Sequence, residues 1–296
     1  LNANVTILNT HTVTIDANSA ILNSVTINSG GVLNGGGTPY TLTLGAGDGS
    51  VDFNNNGTFN ANNNVTVKLN ADSKWGGTGA YNLKNIDLNS RTLTLDNAVT
   101  DTLHLAGAGD PFVNAGTLVP GTNWTVDYNG SSGQSIASAS TINFKHLRIT
   151  NSATVTLQKD LTASNLTGNL TITSNGVLNT ANGATAFEIA GAGSATLTVG
   201  ANSTLNLGGN GTTASSFPTG FGTFTLAAGS TVQYSNSSSA TQNVAARSYD
   251  NILFSGFSYG IHAYTEGGFI DNLDVEGNTT FNAGNLSASG GGNFFL

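Results

Sequence analysis

The sequence predicts an all-β protein, and within that class a right-handed parallel β-helix (β-solenoid) of roughly a dozen coils. Three observations predict it. Short apolar–polar–apolar triplets recur along the 296-residue chain, their polar centre is most often Thr, and long stretches repeat at fixed offsets. Period-two alternation with β-branched residues is the pattern of a strand with one face buried and one face wet.

Taken in order, Thr-centred triplets stand at Val5–Ile7, Val13–Ile15, Val25–Ile27, Leu42–Leu44, Val65–Val67 and Leu93–Leu95, and again at Val155–Leu157, Leu170–Ile172, Leu197–Val199 and Phe224–Leu226. Others carry a different polar centre: Val51–Phe53, Ile86–Leu88, Leu103–Leu105, Val126–Tyr128, Leu147–Ile149, Leu205–Leu207, Val232–Tyr234 and Leu273–Val275. Between them lie Asn, Gly, Ser and Asp, which accept left-handed backbone angles in turns, as at Asn28–Gly31, Gly35–Gly37, Asn54–Gly57 and Gly208–Gly211. No segment carries an apolar stripe of helical period.

Two internal repeats select the solenoid. Residues 25–60 match 170–206: Val25 to Gly47 reads VTINSGGVLNGGGTPYTLTLGAG and Leu170 to Gly193 reads LTITSNGVLNTANGATAFEIAGAG. Residues 126–149 match 232–254 through Val126-x-Tyr128 and Val232-x-Tyr234, then Gln134-x-Ile136 and Gln242-x-Val244, then an aromatic-x-x-apolar-x-apolar unit. That unit recurs loosely, with an aliphatic residue in first place in two copies, at Leu83/Ile86/Leu88, Phe144/Leu147/Ile149, Tyr249/Ile252/Phe254 and Ile270/Leu273/Val275; the last two copies are one coil length apart. Stacked coils place like residues on like. Asn and Thr both donate and accept hydrogen bonds and stack well, whereas stacked identical charges repel. A pair of β-sandwich domains is the competing architecture, but its hairpins need longer strands joined by tight turns. Residues 1–296 therefore read as one β-helix domain. A chain beginning at Leu1 and ending at Leu296 in strand-like, uncapped sequence reads as part of a longer one.

Composition bounds the function. Asn, Thr and Gly number 40, 41 and 39, yet Val, Ile, Leu and Phe recur throughout and only 8% of residues are charged, so the disordered class is excluded. The net charge is −8 with no basic cluster, which argues against nucleic-acid partners. No apolar run reaches the ~18 residues of a transmembrane helix. Cys and Met are both absent, leaving no easily oxidised sulfur, which suits service outside the cell.

The run Tyr128-Asn-Gly-Ser-Ser-Gly-Gln134 to Leu147-Arg-Ile149-Thr-Asn151, with Val155-Thr-Leu157 and Leu161-Thr-Ala-Ser-Asn-Leu166, resembles the repeats of large β-helical, adhesin-like surface proteins of Bacteroidota exported by the type IX route. The resemblance is one of repeat texture over most of the chain. It implies an extracellular or cell-surface location and a structural or adhesive module; the strand-like ends of a solenoid add the expectation of self-association into a filament. The expected partners are neighbouring copies or modules of the same protein, and glycans.

Chemistry-bearing residues are few. His11, His104, His146 and His262 have no partner at metal-ligand spacing. Asp52, Asp87, Asp127 and Asp274 centre apolar triplets and should face outward. An alternative reading, a carbohydrate-active or carbohydrate-binding β-helix of lyase or hydrolase type, would use aspartates such as Asp87 and Asp127. Glycoside hydrolysis needs two carboxyls roughly 5–9.5 Å apart, and no Arg or Lys clusters with these, so no enzymatic activity is expected. The Gly-Ala-Gly-Asp units ending at Asp48 and Asp110 are candidate calcium turns, with one carboxylate each; otherwise no cofactor is expected. Trp75, Trp124 and Tyr259 are candidates for stacking on sugars, and Trp75, in Lys74-Trp75-Gly76-Gly77, lies in a turn-like context that would expose it.

Overall fold

The structure, a computed structural model, describes residues 3–45, 50–61, 64–97, 100–136, 140–209, 213–236, 241–245 and 247–255, and the backbone of strands Ile261–Tyr264, Ile270–Val275 and Thr280–Ala283. The described residues are all-β, with parallel sheets that form a right-handed β-helix of about ten turns. The expected dozen is too many because several coils are longer than assumed: Leu33 to Phe59 spans 26 residues, and Leu178 to Leu205 and Leu205 to Val232 span 27 each. Two compact units divide the chain, Leu1–Leu147 and Arg148–Leu296.

In the first unit each coil contributes three short strands. Inward residues stack in register as Val5–Val25–Phe53–Trp75–Leu95 on one face. A second face stacks Val13–Leu33–Phe59–Tyr81–Leu103–Val126, and a third Leu42–Val67–Ile86–Phe112. The seven-residue strand Ile21–Ile27 rounds a corner and serves two faces. Its Ile21 and Leu22 pair with Thr43 and Leu44, whereas Val25–Ile27 pair with Phe53–Asn55. Interior side chains such as Val25, Leu44, Phe59 and Leu103 are buried, each contributing roughly 1.5–3 kcal/mol.

In the second unit one row runs Val155–Leu178–Leu205–Val232–Ile252–Leu273 and another Leu170–Leu197–Phe224. From Thr231 onward successive strands alternate between two sheets, and the coil shortens to 20 or 21 residues, from Val232 to Ile252 to Leu273. An antiparallel hairpin, Ala181–Asn182 with Thr185–Ala186, leaves one coil after strand Val177–Asn179.

The repeats seen in sequence are repeats of register. Val32, Leu33 and Asn34 face Thr58, Phe59 and Asn60, and Val177, Leu178 and Asn179 face Thr204, Leu205 and Asn206. The unit Tyr249/Ile252/Phe254 stacks residue for residue on Ile270/Leu273/Val275. One corner turn also recurs. The amide of Gly31 donates to Asn28 O (2.8 Å), Arg91 to Leu88 O (2.8 Å), Gly176 to Thr173 O (2.9 Å) and Ser230 to Ala227 O (2.9 Å). The residue just before each closing amide is left-handed: Gly30 (φ 79°), Ser90 (61°), Asn175 (65°) and Gly229 (81°). Gly and Asn take this conformation most readily and fill three of these four corners.

Candidate functional site

The strand pattern decides where each polar side chain points. On strand Thr100–Leu105, Leu103 and Leu105 are buried and His104 lies on the outward row. The register sets His104 between Asn82 and Asp127 of the neighbouring coils. His104 Nδ1 and Asp127 Oδ2 lie 2.9 Å apart, with side-chain exposures of 21% and 3%. His104 is thus engaged by a carboxylate and not simply solvated, and Asp127 is covered although it stands on the outward row.

Asp87 and Asp127 are not brought together. Asp87 belongs to the sheet of strands Val65–Leu69 and Phe112–Val113, and Asp127 to that of Thr100–Leu105. The Asp87 carboxylate accepts from Asn114 Nδ2 (2.8 Å) and the Asn89 amide (3.1 Å). Asp52, expected outward, is buried, and its Oδ2 accepts from the Lys74 amide at 3.0 Å. The backbone of Asp274 lies opposite Leu253.

One carboxylate escapes the triplet analysis. Asp101 is in phase with Leu103 and Leu105, so it points inward, 9% exposed, opposite Trp124. Its Oδ1 accepts from the Thr102 amide at 2.6 Å, while Oδ2 is buried without a hydrogen-bond partner among the described residues. Burial raises its pKa to about 6, partly offset by the Thr102 amide and the nearby His104. The signal was available in sequence: counting back by two from Leu105 reaches Asp101.

Of the two calcium candidates, Asp48 lies outside the described residues. Asp110 Oδ1 accepts from the Phe112 amide at 3.0 Å, next to Gly109 in the left-handed region (φ 70°), which is the geometry of a side-chain-capped turn. Among the described residues no three His, Asp or Glu side chains gather as a metal would require.

The stacking candidates Trp75 and Trp124 are fully buried, and Tyr259 lies outside the described residues. The turn-like context of Trp75 is misleading, since strand Ser73–Gly76 continues the first face and turns the indole inward. There Phe53, Phe59, Trp75, Tyr81 and Trp124 form one aromatic cluster. Ring centroids are 5.0 Å apart for Phe53–Tyr81, 5.3 Å for Trp75–Tyr81 and 5.7 Å for Tyr81–Trp124. Indole Nε1 atoms are satisfied inside, Trp75 by Ser73 Oγ (3.1 Å) and Trp124 by Asp96 O (2.9 Å).

The least covered apolar surface lies on the first described coil. Four large apolar side chains are exposed among the described residues, and three belong to it: Leu8 (54%), Val13 (43%) and Ile21 (39%). Val13 occupies the inward row, yet its stacking partner Leu33 is only 4% exposed. The difference arises because, among the described residues, Val13 is covered by a coil on one side alone. Strands Ala3–Ile7 and Thr12–Ile15 each pair with one described strand, and neither contains a charged residue or a proline, the usual guards of an edge.

No protein-family model matches the chain, and no curated protein or solved structure matches it.

Proposed function

We propose that the chain is a structural and adhesive β-helical module of an extracellular surface protein, which associates with neighbouring copies or modules by docking coil on coil. The first described coil carries this reading. Its strands Ala3–Ile7 and Thr12–Ile15 each pair on one side among the described residues, beside the exposed apolar Leu8 and Val13. Backbone pairing with apolar contact is the combination that holds successive coils together inside the unit, so a neighbouring copy or module fits the other side. The low charge of the chain supports it, because like surfaces meet without repulsion. The absence of Cys and Met supports an extracellular location.

Sedimentation velocity over a range of concentrations, on the wild type and on Val13→Lys, tests the reading. Wild-type association that grows with concentration and is lost in the variant agrees with it. Equal behaviour of the two proteins removes the first coil as the contact.

A further inference from the structure

We infer that Asn182 is a self-modifying site, at which the folded chain converts an asparagine carboxamide into aspartate and isoaspartate. The sequence contains six Asn-Gly pairs, and Asn210-Gly211 lies outside the described residues. The reaction starts when the glycine backbone nitrogen attacks the preceding side-chain carbonyl carbon, so an amide already held in a hydrogen bond is a poor nucleophile. In four pairs the fold occupies that amide or encloses it. Gly57 N donates to Asn55 Oδ1 (3.2 Å), Gly130 N to Gln134 Oε1 (3.0 Å) and Gly176 N to Thr173 O (2.9 Å). Gly35 is a buried residue of strand Val32–Gly35, packed so closely on the backbone of Ala61 that an added Cβ would lie 2.2 Å from its carbonyl oxygen.

Gly183 differs on every count. It forms the tip of the hairpin between Ala181–Asn182 and Thr185–Ala186, with exposed residues throughout 182–185. Its backbone is left-handed (φ 57°), a Cβ there would meet nothing within 4 Å, and its amide has no hydrogen-bond partner among the described residues. Water and base reach it freely.

The step balances without any co-reactant but water. The Gly183 amide gives up its proton to solvent base and its nitrogen bonds to Asn182 Cγ. The Cγ–Nδ2 bond breaks, and the side-chain nitrogen leaves as ammonia after taking up a proton. Water then adds to either carbonyl of the resulting succinimide and breaks one ring C–N bond, leaving aspartate with the normal backbone or isoaspartate with the backbone routed through the side chain. No atom is oxidised or reduced. One consequence is local. Asn182 Nδ2 donates to Gln158 Oε1 at 2.5 Å, and a carboxylate cannot donate, so this tie between the hairpin and residue 158 is lost until Gln158 turns its own amide over.

Peptide mapping by mass spectrometry after incubating the native protein in mildly alkaline buffer tests the inference, with a parallel incubation in urea. The expected result is amide loss at Asn182 at least about tenfold faster than at Asn34, Asn56, Asn129 and Asn175, with the rates converging in urea as the fold's protection disappears. Gly183→Ala is expected to suppress the reaction at Asn182 alone. Equal rates at the five sites in the native protein, a faster rate at one of the other four, or no amide loss at Asn182 would overturn it.

Discussion

Gln134 and Gln242, 108 residues apart in sequence, do the same work in their own units. Gln134 Nε2 donates to the carbonyls of Leu105 (2.8 Å) and Gly107 (2.9 Å), and Gln242 Nε2 to those of Leu207 (2.9 Å) and Ser215 (2.7 Å). Leu105 and Leu207 are the residues that Tyr128 and Tyr234 face across the ladder. In both repeats, then, a buried amide reaches the carbonyl opposite the tyrosine that precedes it. Replacing Gln134 by Leu is expected to destabilise the protein by about 2 kcal/mol, because two buried carbonyls lose a donor. Gln134→Glu should be worse at neutral pH, since it points a carboxylate at those same carbonyls. Urea unfolding of the two variants measures both effects.

The two repeats differ at one hydroxyl. Tyr234 and Tyr249 lie 3.0 Å apart through their hydroxyls, and Tyr249 donates on to Ala245 O at 2.7 Å. Phe144 stands where the other repeat has Tyr249, and the buried Tyr128 hydroxyl has no hydrogen-bond partner among the described residues. Tyr128→Phe should therefore leave stability unchanged or raise it, whereas Tyr234→Phe should lose about 1 kcal/mol. Thermal unfolding of the pair of variants checks the contrast.

Asp101 makes stability depend on pH. Its carboxyl keeps its proton up to about pH 6 in the folded chain, against an ordinary value of 3.8. Between those values the folded state binds more protons than the unfolded one, so stability falls as pH rises through this window and then levels off. Asp101→Asn should flatten that part of the profile and raise stability on the alkaline side. Urea midpoints at about pH 5 and about pH 8 for both proteins would show it. A wild-type profile as flat as the variant's would contradict the buried carboxyl.

Thr10 is a β-branched residue held at φ 67°, where the equivalent corner of the next coil has Gly30 at 79°. Thr10→Gly should add about 1 kcal/mol by removing that strain. Gly30→Ala should subtract a similar amount, because the conformation disfavours a side chain and the added Cβ would lie 2.0 Å from Asn9 Oδ1. Denaturant unfolding of each variant gives the sign.

Most of the fold was legible because a solenoid writes its register in its sequence. Matching Val32-Leu33-Asn34 to Val177-Leu178-Asn179 by eye also matches their hydrogen-bonded neighbours. The change to a two-strand coil after Thr231 was not legible, since each triplet reports only its own alternation and not which face it joins. The candidate site was less legible still. His104 and Asp127 come from adjacent coils, and their meeting depends on coil length, which varies from one turn to the next. Trp75 looked like a turn residue because Gly76 and Gly77 follow it, yet an aromatic shelf of Phe53 and Tyr81 draws it inside. Asp101 and Gln134 were readable as inward residues from the phase of their strands, but only to an eye that let a polar residue count as core.

The central proposal is that the first described coil docks on a neighbouring copy or module. Electron microscopy of the purified protein across concentration, beside Val13→Lys, tests it most directly. The account predicts end-joined assemblies for the wild type, with the ~4.8 Å coil spacing continuing across the junction, and single particles for the variant. Single particles for both at every concentration, or identical assemblies in both, would contradict it.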